Sequence, residues 1–396
     1  MKYPFTPEVL DAMPEEMAGL YRELEGTLLE EICSRLRISG KLNEVTIQDI
    51  RALRSHGIPL REIERAIARA TGLSRVKVRA LLDDVVRRNQ AYYAELIDRA
   101  HLTAPAYLVS AREIDAIKRQ TEDELINLTR SMGFMIRQGG VSVLLPSGRA
   151  YQWALDSAEM QIMSGGISYN EAITRAVKAL ADSGLRTVPY DSGHIDALDV
   201  AVRRAVMTGV GQICARYTEQ SAEYLQTDYF EVSAHSGARD TGIGWQNHKA
   251  WQGKVYSIRT GDKYPSIYAV CGLDEVDGLE GANCRHIRFT FVEGVSERTY
   301  TDEQLANIDP PPFEYEGRTY TAYAATQKQR EIERTIRKLK REEIAYKASG
   351  AEAQAKAARA RIRRLSSKYK AFSKAANLPE QRERMRVYEP QRAASD

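Results

Sequence analysis

The chain has 396 residues, 43% of them apolar and 28% charged, which is longer than one usual domain and sufficient for a buried core. Four cysteines in so long a chain exclude a disulfide-stapled scaffold, and no apolar run reaches the roughly 18–20 residues that cross a bilayer. Residues 1–14 are broken by acidic residues and prolines and lack the charged-then-apolar order of a secretory leader, so the expectation is a soluble chain made in the cytoplasm.

Net charge is only +3, but it is unevenly placed. Residues 327–396 carry 20 Lys+Arg against 9 Asp+Glu, net +11, which leaves 37 basic and 45 acidic residues before them, net −8. An acidic body with a basic end points to an anionic partner for that end, either nucleic acid or an acidic protein surface.

In chain order, the stretch to about residue 225 predicts an almost wholly helical domain. Apolar residues recur at helical spacing in Ile63, Ile67 and Ala70, in Leu81, Val85 and Val86, and in Ile114, Ile117, Leu125 and Leu128. Within 60–84, Ile67, Ala68, Gly72, Leu73, Val78 and Leu81 match the apolar, small and turn positions of a helix-turn-helix. Ser74 would cap its second helix and Arg75, Lys77 and Arg79 would face phosphates. Two packed helices joined by a tight Thr-Gly-Leu-Ser turn satisfy the same residues. Thr121 and Glu124 form a capping-box pattern before Leu125. Gly139-Gly140 and Pro146-Ser147-Gly148 interrupt the periodicity. Further helices are expected over about 170–181, stopped at Ser183-Gly184, and about 195–224, with Val202, Val206, Val210 and Ile213 on one side. Cys33 and Cys214 fall in such helices and read as small buried apolar residues.

The pattern changes at Asp228. Phe230, Val232, Val255, Tyr256, Ile258, Ile287, Phe289 and Phe291 lie in short β-branched and aromatic segments. The glycine-rich connections between them, 236–244 and 272–281, are long enough to carry function. Pro310-Pro311-Pro312 closes this unit and Tyr315 to Tyr320 reads as a hairpin or extended arm. From Thr326 helix returns, with Ile332, Ile336, Leu339 and Tyr346 on one stripe and Ile362, Leu365, Tyr369 and Phe372 on another. Ser349-Gly350 is a turn between them. The opposite faces carry Arg337, Lys338, Arg341, Arg363, Arg364 and Lys368, the candidate DNA contacts. Glu331, Glu333, Glu342 and Glu343 partly neutralise them, so docking on an acidic protein is equally consistent.

The residues richest in chemistry are His235, His248, Cys284 and His286. On a strand, Cys284 and His286 would share a face with Arg285 opposite, and two loop histidines would complete a tetrahedral structural zinc site, Cys271 competing with His235 for the last position. Side chains that only hydrogen-bond loop backbone are the alternative. An enzyme would add Asp240, Asp262 or Asp274 as a base, but no H-E-x-x-H or Ser-His-Asp grouping is present.

Several segments together resemble the phage minor capsid protein 2 family, related to the Mu F-like head-morphogenesis proteins. Leu198-Asp199-Val200-Ala201-Val202-Arg203-Arg204 followed by Thr208-Gly209-Val210 resembles its long central helix. Glu231-Val232-Ser233-Ala234-His235-Ser236-Gly237-Ala238-Arg239, Trp251-Gln252-Gly253-Lys254-Val255-Tyr256-Ser257 and Gly281-Ala282-Asn283-Cys284-Arg285-His286 resemble its most recognisable motifs. Asp309-Pro310-Pro311-Pro312, the 315–320 segment and the basic helix continue the likeness, which spans about 169–387. Two departures stand out. Glu280 occupies a position where relatives often have cysteine, and Asp240 to Asn247 lengthens the stretch between Arg239 and His248.

The resemblance implies a structural, low-copy virion protein associated with portal or capsid subunits, assembled in the host cytoplasm, with no membrane and no inherited catalytic residue. The expected fold is α+β: a helical domain over 1–225, a small mixed module with long loops over 226–322, and a basic helical hairpin over 323–396. His235, Arg239, His248, Trp251, Gln252, Asn283, Cys284, Arg285 and His286 are the candidate core of the module. A metal-dependent nuclease or hydrolase and a helix-turn-helix DNA-binding protein are the alternative functions.

Overall fold

Thr6 starts the first helix. Its hydroxyl accepts from the Val9 amide and Pro7 presets the first turn, giving α1 (Pro7–Ala12). The structure, a computed structural model, describes residues 3–36, 60–164, 167–188, 195–281 and 284–387. After α1 come α2 (Glu15–Arg35), α3 (Leu60–Arg99), α4 (Ala111–Arg130), β1 (Gly133–Gln138), β2 (Val141–Leu145), α5 (Ser147–Met163), α6 (Tyr169–Ser183), β3 (Leu185–Thr187), β4 (Asp196–Ala197) and α7 (Leu198–Tyr224). The module that follows holds β5 (Tyr229–Val232), α8 (His248–Trp251), β6 (Val255–Ser257), α9 (Ile267–Cys271), β7 (Arg288–Phe291) and α10 (Asp302–Ala306). The hairpin β8 (Phe313–Tyr315) and β9 (Arg318–Tyr320) leads into α11 (Ala322–Ser349) and α12 (Glu352–Ala375). This is the expected mostly helical α+β architecture.

Helix α7 is the spine. Val202, Val206, Val210 and Ile213 are fully buried among Leu28, Leu29 and Ile32 of α2, Val78, Leu82 and Val85 of α3, and Leu125 of α4. Burial of such side chains stabilises by about 1.5–3 kcal/mol each. Further along, the same helix becomes polar where it meets the module: Tyr93 Oη bonds Thr218 Oγ1 at 2.8 Å, Thr290 Oγ1 donates to Thr218 O at 2.9 Å, and Ser221 bonds Thr290.

The region predicted to be almost wholly helical also contains a four-stranded sheet ordered β2-β1-β3-β4. Gly139 and Gly140, at φ 54° and 87°, form the two-residue turn of its first hairpin, pairing Gln138 with Val141. The Thr121 cap is corrected too: Thr121 lies inside α4, its hydroxyl spent on Ile117 O, and Ser110 is the cap.

The helix-turn-helix reading is overturned. Helix α3 runs unbroken through Thr71-Gly72-Leu73-Ser74. Thr71 Oγ1 donates to Ile67 O and Ser74 Oγ to Thr71 O, so both hydroxyls are satisfied by their own helix instead of capping a new one. Gly72 inside a helix costs only about 1 kcal/mol. Arg75 and Arg79 both turn to Glu122, and Lys77 to Glu16, so these cations are committed within the helical layer.

The two C-terminal helices fold back at Gly350, which takes the left-handed cap conformation. Helix α11 is no free tail: Ala345 and Tyr346 join the main core. Three of the six candidate DNA contacts are therefore engaged by acidic or carbonyl groups of the helical body, two of them largely covered. Arg337 pairs with Asp199, Arg341 bonds Ala181 O at 3.0 Å and lies 3.6 Å from Glu25, and Lys338 lies 3.2 Å from Asp182. Lys368 is held by Glu316 at 2.6 Å. Arg363 and Arg364 are exposed and, among the described residues, have no ion-pair partner.

Close approach of α7 and α4 needs Gly209, because a Cβ there would stand 2.3 Å from Thr121 Oγ1. At Gly211, two positions on, a Cβ meets nothing within 4 Å. Gly209→Ala should therefore destabilise by about 1–3 kcal/mol through overpacking. Gly211→Ala should stabilise by up to about 1 kcal/mol through helix propensity. Denaturant unfolding of both variants checks the contrast, and equal signs would contradict it.

Candidate metal centre

Strands β6-β5-β7 form an antiparallel sheet whose strands are only three or four residues long. So small a sheet is marginal by itself, and it leans on α7 on one side and on its own loops on the other. The first loop is tied down by Asp309, whose carboxylate accepts from Gly237 N at 2.7 Å and Ser236 Oγ at 3.2 Å and pairs with Lys249 at 2.7 Å. Lys249 N donates to Arg239 O at the start of α8. Trp251, 1% exposed, anchors that helix: its indole N–H donates to Trp245 O, while Trp245 donates to Asp277 Oδ1. Gly253 follows at φ 72°, where a Cβ would stand 2.3 Å from Leu305, so Trp-Gln-Gly is a backbone requirement of the turn into β6.

These ties bring His248, Cys284 and His286 together. Cys284 Sγ lies 3.8 Å from His248 Nδ1 and 3.7 Å from His286 Nδ1. The remaining ring nitrogens are engaged away from the sulfur: His248 Nε2 with Asp277 O at 3.0 Å and His286 Nε2 with Gln252 Oε1 at 3.0 Å. Trp251 packs on His248 and edge-on to His286, at centroid distances of 4.7 and 4.9 Å. Burial raises the Cys284 thiol to about 11 and lowers His248; at His286 burial, together with the neighbouring His235 and His248, pushes the imidazole well below its usual range. Without a bound cation the thiol and both imidazoles are thus neutral near pH 7.

Of the nine residues expected to form the core of the module, six gather here: His235, His248, Trp251, Gln252, Cys284 and His286. His235 belongs to the packing and not to the ligand group. Its ring stacks on His286 at 4.7 Å and its Nδ1 is 2.9 Å from Ser236 O. Cys271 stays apart as well, buried beside Tyr256 with its thiol raised to about 12 by burial. Arg239 lies half-buried at the edge, and its charge lowers both the Cys284 and the His248 values. Arg285 points the other way, 4.0 Å from Asp11 of α1. Asn283 lies outside the described residues. Cys284 to Ile287 precede the strand, which begins at Arg288, and Ile287 is tied to Ser233 through both its backbone N–H and its carbonyl. Asp277 carried no sequence signal; four acidic residues of 272–281 looked alike, and only the fold selects the one whose backbone carbonyl holds His248.

Chemically, the group can hold a cation through one thiolate and two imidazoles, or exist as a hydrogen-bonded neutral cluster. Among the described residues no carboxylate joins it. Asp262, once a candidate base, is spent on Ser257, Tyr229 and the Lys263 amide. Glu280 takes φ 63° and accepts from the Arg288 backbone and guanidinium.

A mostly helical α+β body supporting a loop-rich module with a sulfur–imidazole cluster is the class defined by this geometry. The model of the family described as phage minor capsid protein 2 matches residues 5–374, and the chain belongs to that family. The match begins far upstream of residue 169, so the N-terminal helices are part of the family architecture. Membership gives the chain a structural role in a phage and a place in the virion. No curated protein and no solved structure matches it. Among the described residues no helix is long and apolar enough to cross a membrane.

The first motif also contains a buried acid. Glu231 is 1% exposed and accepts from Thr299 N at 2.7 Å and Thr299 Oγ1 at 3.1 Å, pinning the strap after β7 across β5. Burial raises its carboxyl to about 7 from an ordinary 4.5. A raised folded value means that the native state holds the proton more tightly than the unfolded chain. The contribution is complete below pH 4.5 and is lost as pH rises through 7. Wild type minus Glu231→Gln stability should fall by roughly 3 kcal/mol over that window, measured by unfolding at several pH values; a flat difference would contradict it.

Proposed function

We propose that the protein is a low-copy head component that docks on portal or capsid subunits and lays the outer face of α12 along packaged DNA. The observation that carries the DNA contact is the solvent face of α12. Lys356, Arg359, Arg363, Lys370 and Lys374 recur there at helical spacing and are exposed, and only Arg359 has a described ion-pair partner, Glu343. The stripe extends over about 27 Å of helix, a length suited to sequence-independent phosphate contacts. The paired cations of α11 are already neutralised by the helical body, so this outer row is where the basic excess of the C-terminal region remains available.

Docking to head subunits is supported by the loop tips of the module. Ile243 is 90% and Val276 77% exposed, and their loops are joined through Gln246 Nε2 to Asp277 Oδ2 at 2.6 Å. Two apolar side chains on braced loops make a surface for a protein partner.

Quantitative mass spectrometry of purified particles should find the chain at a few copies each, cross-linked to portal or capsid subunits. Ile243→Asp with Val276→Asp should deplete it from particles without unfolding it. Duplex DNA binding by the purified chain should weaken steeply with salt, and replacing Lys356, Arg363, Lys370 and Lys374 with Gln should reduce the log–log slope by about 3–4. Binding that is unchanged in this variant, or that tolerates salt, counts against the DNA contact and leaves an acidic protein surface as the partner of α12.

A further inference from the structure

We propose that His248 Nδ1, Cys284 Sγ and His286 Nδ1 form a three-ligand site for a zinc-type divalent cation. The proposal is independent of the portal and DNA reading. Its first support is distance. Metal–sulfur bonds of about 2.3 Å and metal–nitrogen bonds of about 2.0–2.1 Å meeting at tetrahedral angles put sulfur and nitrogen about 3.6 Å apart. The observed separations are 3.7 and 3.8 Å, and all three ligand atoms lie within 4.8 Å of one another.

The second support is a proton inventory. The His235 backbone N–H donates to Gln252 Oε1 at 3.0 Å, which fixes that atom as an acceptor. His286 Nε2, 3.0 Å from the same oxygen, must therefore carry its hydrogen, and its Nδ1 is bare. His248 Nε2 is fixed in the same way by the carbonyl of Asp277. Two bare imidazole nitrogens thus face one sulfur. A thiol brings a single hydrogen and can satisfy one of them, leaving the other lone pair buried and directed at sulfur. A cation satisfies all three at once: the thiol proton leaves to solvent, and thiolate and both lone pairs bind the metal. Carbonyl oxygens behind both imidazoles are the usual outer support of histidine ligands.

Sulfur with two imidazoles selects a borderline-soft ion over calcium or magnesium. Among the described residues no fourth side chain reaches the group, so water or a ligand from a neighbouring subunit completes the tetrahedron. The ion would join α8 to the segment entering β7, two parts of the module that otherwise meet through single hydrogen bonds and ring contacts.

The test uses the full chain, purified without chelator, reconstituted with zinc and assayed for bound metal, then stripped and titrated with cobalt(II). One equivalent of zinc per chain and a thiolate-to-cobalt charge-transfer band are expected, the band disappearing in Cys284→Ser. Gln252→Leu, which removes the support of His286 but no ligand, should weaken binding about 10–100-fold, while His235→Gln should bind as wild type. The Gln252 variant keeps the proposal falsifiable if Cys284→Ser does not fold. Folded wild type that takes up no zinc, a cobalt band that survives Cys284→Ser, full affinity in Gln252→Leu, or loss of binding in His235→Gln would each overturn the assignment.

Discussion

The contact on which the molecule depends is the seam between α7 and β7. A helix whose buried face is apolar over its first four turns must end against a sheet edge, and there it replaces methyl groups with Thr218 and Ser221. Their hydroxyls bond Tyr93, Thr290 and the Arg288 carbonyl, so the seam is fully buried and still satisfied. Arg288 at the strand start spans from Glu219 on the helix to Glu280 on the loop. The module is thus welded to the helical body and cannot swing as a separate domain on a linker. Cys284 and His286, a few residues before β7, inherit their placement from that weld.

A second constraint works at longer range. Asp11 sits half-buried among Arg203, Arg384 and Arg285, the first from α7, the second after α12 and the third within the Cys-Arg-His motif. Burial alone would raise its carboxyl, but the three guanidiniums outweigh that and hold it below its ordinary range. The arginine between Cys284 and His286 therefore has its own task. It draws the strand entry toward α1 while its neighbours face the opposite way, which is why the three consecutive residues read as one motif.

Legibility in the sequence followed the range of the cause. Periodicity along a single helix was enough for α6, α7, α11 and α12, and local turn chemistry was enough for Gly350 and the β8–β9 hairpin. The false helix-turn-helix had every local requirement at Gly72 and Ser74. What removed it was the partner across the bundle: Tyr21 bonds Ser74, and Glu122 takes both arginines. The β1–β2 hairpin was hidden because Gly139-Gly140 ends a helix as well as it turns a strand. In the candidate centre, residue types identified His248, Cys284 and His286, but only the placement of Gln252 and Asp277 decides which nitrogens face the sulfur. The same placement removes His235. For the C-terminal cations, helical phase separated core from surface yet could not tell solvent from the acidic flank of a neighbouring helix, so Arg337 and Arg341 looked as free as Arg363.

The pairing of Asp11 with Arg384 ties together positions 373 residues apart. Contacts of such sequence separation close long loops, whose entropy cost local contacts do not bear. Arg203 and Arg285 lie between the two in sequence, so one carboxylate gathers three distant segments around α1. A single charge thus fastens α1 to α7, to the Cys-Arg-His motif and to the segment after α12.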